Sequence, residues 1–180
     1  MKKLLLIAII AVAGVAAAVA QPRAVGINIG YGIDLSYQHG LGESNMIDLS
    51  VNIPAFAGIG ATCTYDWINP FGTSIPWNNK GEWNWSLGVG AGVGAYNAFS
   101  YNYVNADGII TEDGINNKKV WLGSIYAGVV GHVGVEYNFW FPLQLSVDYR
   151  PNIGIVAANK VVGFNTGGFY GITLGVRYKF

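Results

Sequence analysis

His132 is the residue in this sequence best suited to moving protons, and its neighbours decide what chemistry that would serve. Glu136 follows four positions later, and Ser124, Ser146 and Asp148 lie on nearby segments. A hydroxyl nucleophile needs a histidine base and a third group that orients the histidine; all three types are present. Around them stand Asp34, Asp48, Asp66, Arg150, Arg177 and Lys179. Gly88-Val-Gly-Ala-Gly-Val-Gly94 has the glycine density of a phosphate-cradling loop, but such a loop follows a strand and opens a helix. Here the glycines recur at every second position of an extended segment, where they make room. The Asp-Gly pairs at Asp107-Gly108 and Asp113-Gly114 mark turns, without the regularly spaced ligands of a calcium loop. A single cysteine, Cys63, excludes an internal disulfide framework and a zinc cluster. We expect no metal and no cofactor.

The elements that must position these groups are strands. From Ala24 to Gln38 the odd positions are Val25, Ile27, Ile29, Tyr31, Ile33, Leu35 and Tyr37, while the even ones are small or polar. That is a period of two with no helical rival. The pattern recurs at Ile47–Ile53, Ile59–Trp67, Trp83–Val93, Val133–Phe139, Leu143–Tyr149 and Tyr170–Phe180, less cleanly in the segment leading into Val133. Cys63 falls among the bulky positions as a small hydrophobe. The charged residues named above fall on the opposite face.

Residues 1–20 stand apart. Lys2 and Lys3 precede an almost unbroken aliphatic run, and Ala18-Val19-Ala20 gives a small-x-small site before Gln21. This order is that of a cleaved signal peptide, leaving one domain over 21–180. Loss of Lys2 and Lys3 leaves eight basic residues against ten acidic ones, with no basic field for nucleic acid. Charged residues make up 11% of the chain, against about 25% in an ordinary soluble domain. No second apolar run reaches helix-span length, so the hydrophobicity is carried by alternation.

Which face meets solvent decides the class. Bulky residues turned inward would overfill an eight-stranded barrel, whose interior barely holds side chains. The outer surface would then be Gly, Ser and Asn with little charge, which is poor for solubility. Turned outward, the bulky residues meet lipid, and closure satisfies every backbone N–H and C=O. The expectation is an all-β, transmembrane, up-and-down antiparallel β-barrel. Trp67, Trp83, Trp85, Trp140 and Phe141 near strand ends suit an interfacial girdle.

Seven strands are clear and an even total is expected, so eight. Two arrangements supply the eighth. In one, residues 24–38 are a single strand and another lies within 98–112, so that 38–45, 68–82 and 153–168 share the outer side. In the other, 24–38 is a hairpin broken near Gly30-Tyr31-Gly32, and 83–104 pairs with 119–138. Both put 105–118 and 153–168 outside the cell.

The C-terminal Gly171-Ile-Thr-Leu-Gly-Val-Arg-Tyr-Lys-Phe180 resembles the last strand of bacterial outer-membrane barrels. The stretches Gly32–Gln38 and Pro142–Pro151 resemble the small, mostly uncharacterised OmpA/OmpX-type eight-stranded barrels of Gram-negative bacteria. The resemblance implies a cell outer-membrane location and outer-membrane lipid as surroundings. It also implies a barrel-assembly machinery that recognises Leu174, Val176, Tyr178 and Phe180. It carries no catalytic motif.

Buried charges must pair or neutralise. Asp34, Asp48, Asp66, Glu136 and Asp148 are therefore expected to bridge with Arg150, Arg177 and Lys179, with His132 nearby, as a network that plugs the lumen. Glu136 is expected to meet Arg177 or Lys179. Polar barrel linings bring Ser, His and acid together by chance, and an extended lipid would reach a mid-strand histidine poorly, so no enzymatic activity is expected. The reading is a structural or surface-interaction protein, with an extracellular partner at loops such as 69–82 (Pro70, Phe71, Pro76, Trp77, Lys80) and 105–118 (Asp107, Glu112, Asp113). The alternatives are a narrow pore and, behind it, a lipid-modifying enzyme.

Overall fold

A computed structural model describes residues 22–54, 58–72, 80–97, 101–104, 110–111, 118–121, 123–158, 161–165 and 171–180. The expected signal peptide lies outside them, as do Pro76, Trp77, Asp107, Glu112 and Asp113. The strands are β1 (Pro22–Ile29), β2 (Gly32–Gly40), β3 (Asn45–Pro54), β4 (Gly58–Pro70), β5 (Gly81–Tyr96), β6 (Tyr101–Val104) and β7 (Ile110–Thr111). They continue with β8 (Lys118–Trp121), β9 (Ser124–Phe139), β10 (Leu143–Tyr149), β11 (Asn152–Ala158), β12 (Val161–Asn165) and β13 (Ile172–Lys179). The described residues contain no α-helix.

Eight of these strands close into an antiparallel barrel in the order β1-β2-β3-β4-β5-β9-β10-β13, with β13 returning to β1. β11 continues β10 along the same partner, β9, and the interruption falls at Arg150-Pro151. Pro151 has no N–H to give the ladder. Its carbonyl still accepts from Gly131 N at 2.7 Å, and its ring faces the bare Cα of Gly131. β11 carries the hairpin partner β12. The pairing of β5 with β9 runs from Gly81↔Phe139 to Tyr96↔Ser124, and β6 with β8 extends the same hairpin.

This is the second of the two expected arrangements. The break at Gly30-Tyr31 makes β1 and β2 a hairpin, and the first arrangement fails on the position of its connections. The turn at 41–44, residues 71–72 and 80 flanking β4 and β5, and the turn at 140–142 share one end of the barrel with Arg23 and Phe180. The connections after β1, β3, β5 and β11 leave from the opposite end. Residues 38–45 and 68–82 therefore do not share a side with 153–168. Much of that last segment is strand rather than loop: Ile153–Ala158 and Val161–Asn165 are both paired.

The alternation does what its chemistry requires. Along β4 the side chains are alternately buried and exposed, with Ile59, Tyr65 and Trp67 outside and Thr62, Thr64 and Asp66 inside. The large aliphatic and aromatic groups of β1–β5, β9, β10 and β13 form the outer surface, while the buried set is mostly polar. Inside, bulky groups lie against glycines on the neighbouring strand. Asp66 covers Gly88, Val130 covers Gly92, Asn52 covers Gly60, and Tyr126 lies over Gly154 as well as over Gly128 of its own strand. A Cβ at any of these glycines would meet that side chain, so small and large residues interlock to fill a narrow interior.

Candidate functional site

Stagger determines which interior residues meet. Paired inward residues run from Ala24 at the end carrying the termini through Gln38, Asp48, Thr64, Gly90 and Val130 to Asn152, past the Arg150 interruption. One circuit of the wall thus climbs much of the barrel, and residues of very different strand position become neighbours across the lumen.

Three ionic clusters result. At the end carrying the termini, Arg23 on β1 crosses to Glu136 on β9, a strand three places away round the wall. Its Nη1 donates to Glu136 Oε2 at 3.1 Å and to Gln38 Oε1 at 2.6 Å. Asn84, Asn138 and Gln144 also donate to the Glu136 carboxylate, at 3.2, 3.0 and 2.9 Å. Midway, His132 lies between two carboxylates. Its Nδ1 is 2.7 Å from Asp66 Oδ1 on β4, and its Nε2 is 3.1 Å from Asp148 Oδ1 on β10. Carboxylates accept, so this is the geometry of a ring donating from both nitrogens. Arg177 Nη2 donates to Asp148 Oδ2 and to Asn28 Oδ1, each at 2.9 Å, and its Nη1 donates to Ser146 Oγ at 2.6 Å. Beside this, Arg150 spans the barrel to the opposite strand, β3, where its Nη2 donates to Asp48 Oδ1 at 3.1 Å and its Nη1 to Ser50. Gln38 and Ser36 complete the Asp48 shell.

Asp34, Asp48, Asp66, His132, Glu136, Asp148, Arg150 and Arg177 are all buried inside the barrel. Lys179 is only half-buried at the rim, and its Nζ donates to Phe139 O at 3.1 Å. The expected partner of Glu136 is corrected: neither Arg177 nor Lys179 meets it, and Arg23 does. Arg23 has the parity of the outward residues and lies before the clean alternation, so nothing in the period marked it. The register between β1 and β2 slips between Pro22 and Ala24, and a bulge of this kind re-aims one side chain. The irregularity turns Arg23 inward.

The hydrolase constellation is not assembled. Both nitrogens of His132 face acids, Ser146 donates to Asp148 at 2.6 Å, and Ser124 begins β9 at the far end. The side chain of Cys63 faces outward.

The five aromatic residues of the expected girdle gather at the end that holds Arg23 and Phe180. Trp67, Trp85, Trp140 and Phe141 are exposed there and Trp83 is half-exposed. Ring contacts link Tyr65 with Trp67, Trp83 with Tyr137, Tyr137 with Phe139, and Phe139 with Phe141, with centroids 4.6 to 5.3 Å apart. The groups flanking 68–82 and 139–142 thus belong to one belt. Leu174, Val176, Tyr178 and Phe180 all face outward, and Tyr178 packs edge-on against Phe180. Comparisons with protein-family models, with curated proteins and with solved structures find no match to this chain.

Proposed function

We propose that this barrel spans the outer membrane of a Gram-negative bacterium, serves as a structural or surface-interaction protein, and keeps its lumen closed. The supporting observation is the inversion of its faces: Ile27, Leu35, Val51, Leu87, Val129 and Val147 are exposed, while Arg150, Arg177, His132 and Asp48 are buried. In water such an exterior would aggregate, since monomers rarely expose apolar patches beyond a few hundred Å². In hydrocarbon it is the stable arrangement, and the closed ladder leaves no strand edge along the wall unsatisfied.

On this reading the signal peptide at 1–20 directs export, and Leu174, Val176, Tyr178 and Phe180 present the outward side chains of the assembly signal. The aromatic belt marks the periplasmic interface, and the connections after β5 and β11 face outside, where an extracellular partner would bind. The lumen conducts nothing because ionic struts cross it at several heights. This reading, of the small OmpA/OmpX type, assigns no reaction and no cofactor.

The test is refolding of residues 21–180 into phospholipid vesicles, followed by planar-bilayer recording. The expected result is a heat-modifiable folded band that forms only with lipid or detergent, and a silent bilayer. Discrete, voltage-stable current steps would replace the plug with a narrow pore. A folded monomer in plain buffer would remove the membrane from the account.

A further inference from the structure

Among the described residues, His132 is the only base that meets two acids. It is fully buried, and missing side chains make room for both contacts. Asp66, Gly88 and His132 stand in one row across β4, β5 and β9. A Cβ at Gly88 would collide with the Asp66 carboxylate, so the acid reaches the ring over β5 because that strand has a glycine there. On the other side Asp148 is paired with Gly134. A Cβ at Gly134 would lie 2.8 Å from Asp148 Oδ1 and 3.3 Å from His132 Nε2. Two glycines thus shape the space in which one ring joins two carboxylates.

The charges facing the ring are Asp66 from β4 and Asp148 from β10, with Arg150, just past β10, as the like charge. From β5 it meets Gly88 opposite and Ser86 beside, neither of them charged. One step further out, Arg177 on β13 pairs with Asp148, and Arg150 pairs with Asp48 on β3. Both arginines are therefore committed to other acids. Asp66 is fully buried and, among the described residues, meets no cation except His132; its other contact is the Thr64 hydroxyl, which donates at 2.9 Å. A neutral ring would leave the Asp66 carboxylate as a buried, unpaired charge. It would also turn a nitrogen lone pair toward an acid oxygen. A ring with both protons avoids the two penalties and balances the cluster, with Asp48, Asp66 and Asp148 set against His132, Arg150 and Arg177.

We propose that His132 is a proton-loaded latch: with both ring nitrogens protonated it ties β4 and β10 to β9 inside the barrel, and loss of one proton in alkali releases them. Unfolding exposes the ring to water, where it is neutral above about pH 7. The folded barrel then holds one proton more than the unfolded chain. Each further pH unit lowers the folding equilibrium constant about tenfold, until the folded ring gives up its proton as well. The latch lies wholly inside the wall, so it works alike in detergent and in lipid and does not rest on the membrane assignment.

The test uses protein refolded in detergent micelles, in a His39→Gln parent that leaves His132 as the only histidine. Nitrogen NMR of the ring at neutral pH should show an N–H signal from both Nδ1 and Nε2. In Asp66→Asn the new amide can donate to Nδ1, so the ring should keep its proton on Nε2 only. Urea unfolding should then show the folding constant of the parent falling about tenfold more per pH unit above neutrality than that of Asp66→Asn. Ionisation of tyrosines and lysines acts on both proteins alike and drops out of the difference. A bare ring nitrogen in the folded parent at neutral pH would overturn the proposal, and that spectrum decides alone if Asp66→Asn does not refold. Parallel pH curves for the two proteins would overturn it as well.

Discussion

Arg177 ties four strands together, reaching Asn28 on β1, Ser36 on β2 and Ser146 and Asp148 on β10 from its own place on β13. Truncating one member of a buried ion pair leaves the other charge stranded, at about 3–5 kcal/mol. Arg177→Ala should lower the urea-unfolding free energy in vesicles by that amount. Lys179→Ala, at the half-buried rim, should cost about 1 kcal/mol or less. Arg23 and Glu136 offer a sharper test, because their strands are not neighbours and only the lumen joins them. A double-mutant cycle with Arg23→Ala and Glu136→Ala should give a coupling of about 1–3 kcal/mol; additive losses would mean that the pair does not form. Which residues line the interior follows from parity alone, and parity is visible in the sequence for Asp34, Asp48, Asp66, His132, Glu136, Asp148, Arg150 and Arg177. Which of them meet does not follow, because the stagger of eight strands is a property of closure. Arg23 was hidden for a different reason, the bulge that reverses its side.

The strands differ in length in a way the sequence only half discloses. β1 and β2 have 8 and 9 residues, whereas β5 and β9 have 16 each. Gly30-Tyr31-Gly32 interrupts an alternation that otherwise reads as one strand from Ala24 to Gln38, since three residues, an odd number, separate the paired Ile29 and Ile33 and so preserve the parity on either side. Pro151 misleads in the opposite sense. It reads as a strand end, yet Ile153, Ile155 and Ala157 continue outward beyond it, because Gly131 leaves room for its ring. Tyr126 and Val130 blurred the start of β9 by putting bulk on the inward face, where Gly128, Gly154 and Gly92 receive them. The close approach of β4 and β5 rests on the same interlocking. A Cβ at Gly90 would meet the Cys63 carbonyl, with Thr64 Cα at 2.6 Å, whereas one at Gly163 would meet nothing within 4 Å. Gly90→Ala should therefore destabilise the barrel by more than about 2 kcal/mol, and Gly163→Ala should stay within about 0.5 kcal/mol. Equal effects on the unfolding midpoint would contradict this packing.

On the membrane reading proposed above, one wall of the whole molecule separates two solvents of opposite kind. The eight-stranded closed barrel was legible because bulky and small residues alternate through nearly every segment. Tilted strands rise about 2.5 Å per residue, so β5 and β9 rise about 40 Å and exceed a hydrocarbon core of about 25–30 Å, while β1 and β2 rise about 20 Å. The excess length lies at the end from which β6, β8 and β11 project, the end that the proposed membrane orientation turns to the outside.

Cys63 gives the most direct access to the central claim, because it is the only cysteine in the chain, faces outward, and sits mid-strand between Leu49 and Ala91. A nitroxide attached there, in protein refolded into phospholipid vesicles, reports the solvent of the outer face through its collisions with oxygen and with a water-soluble nickel complex. The account predicts frequent collisions with oxygen and few with nickel, as for a site in hydrocarbon. Free access of nickel to the label in the folded, lipid-associated protein would contradict it.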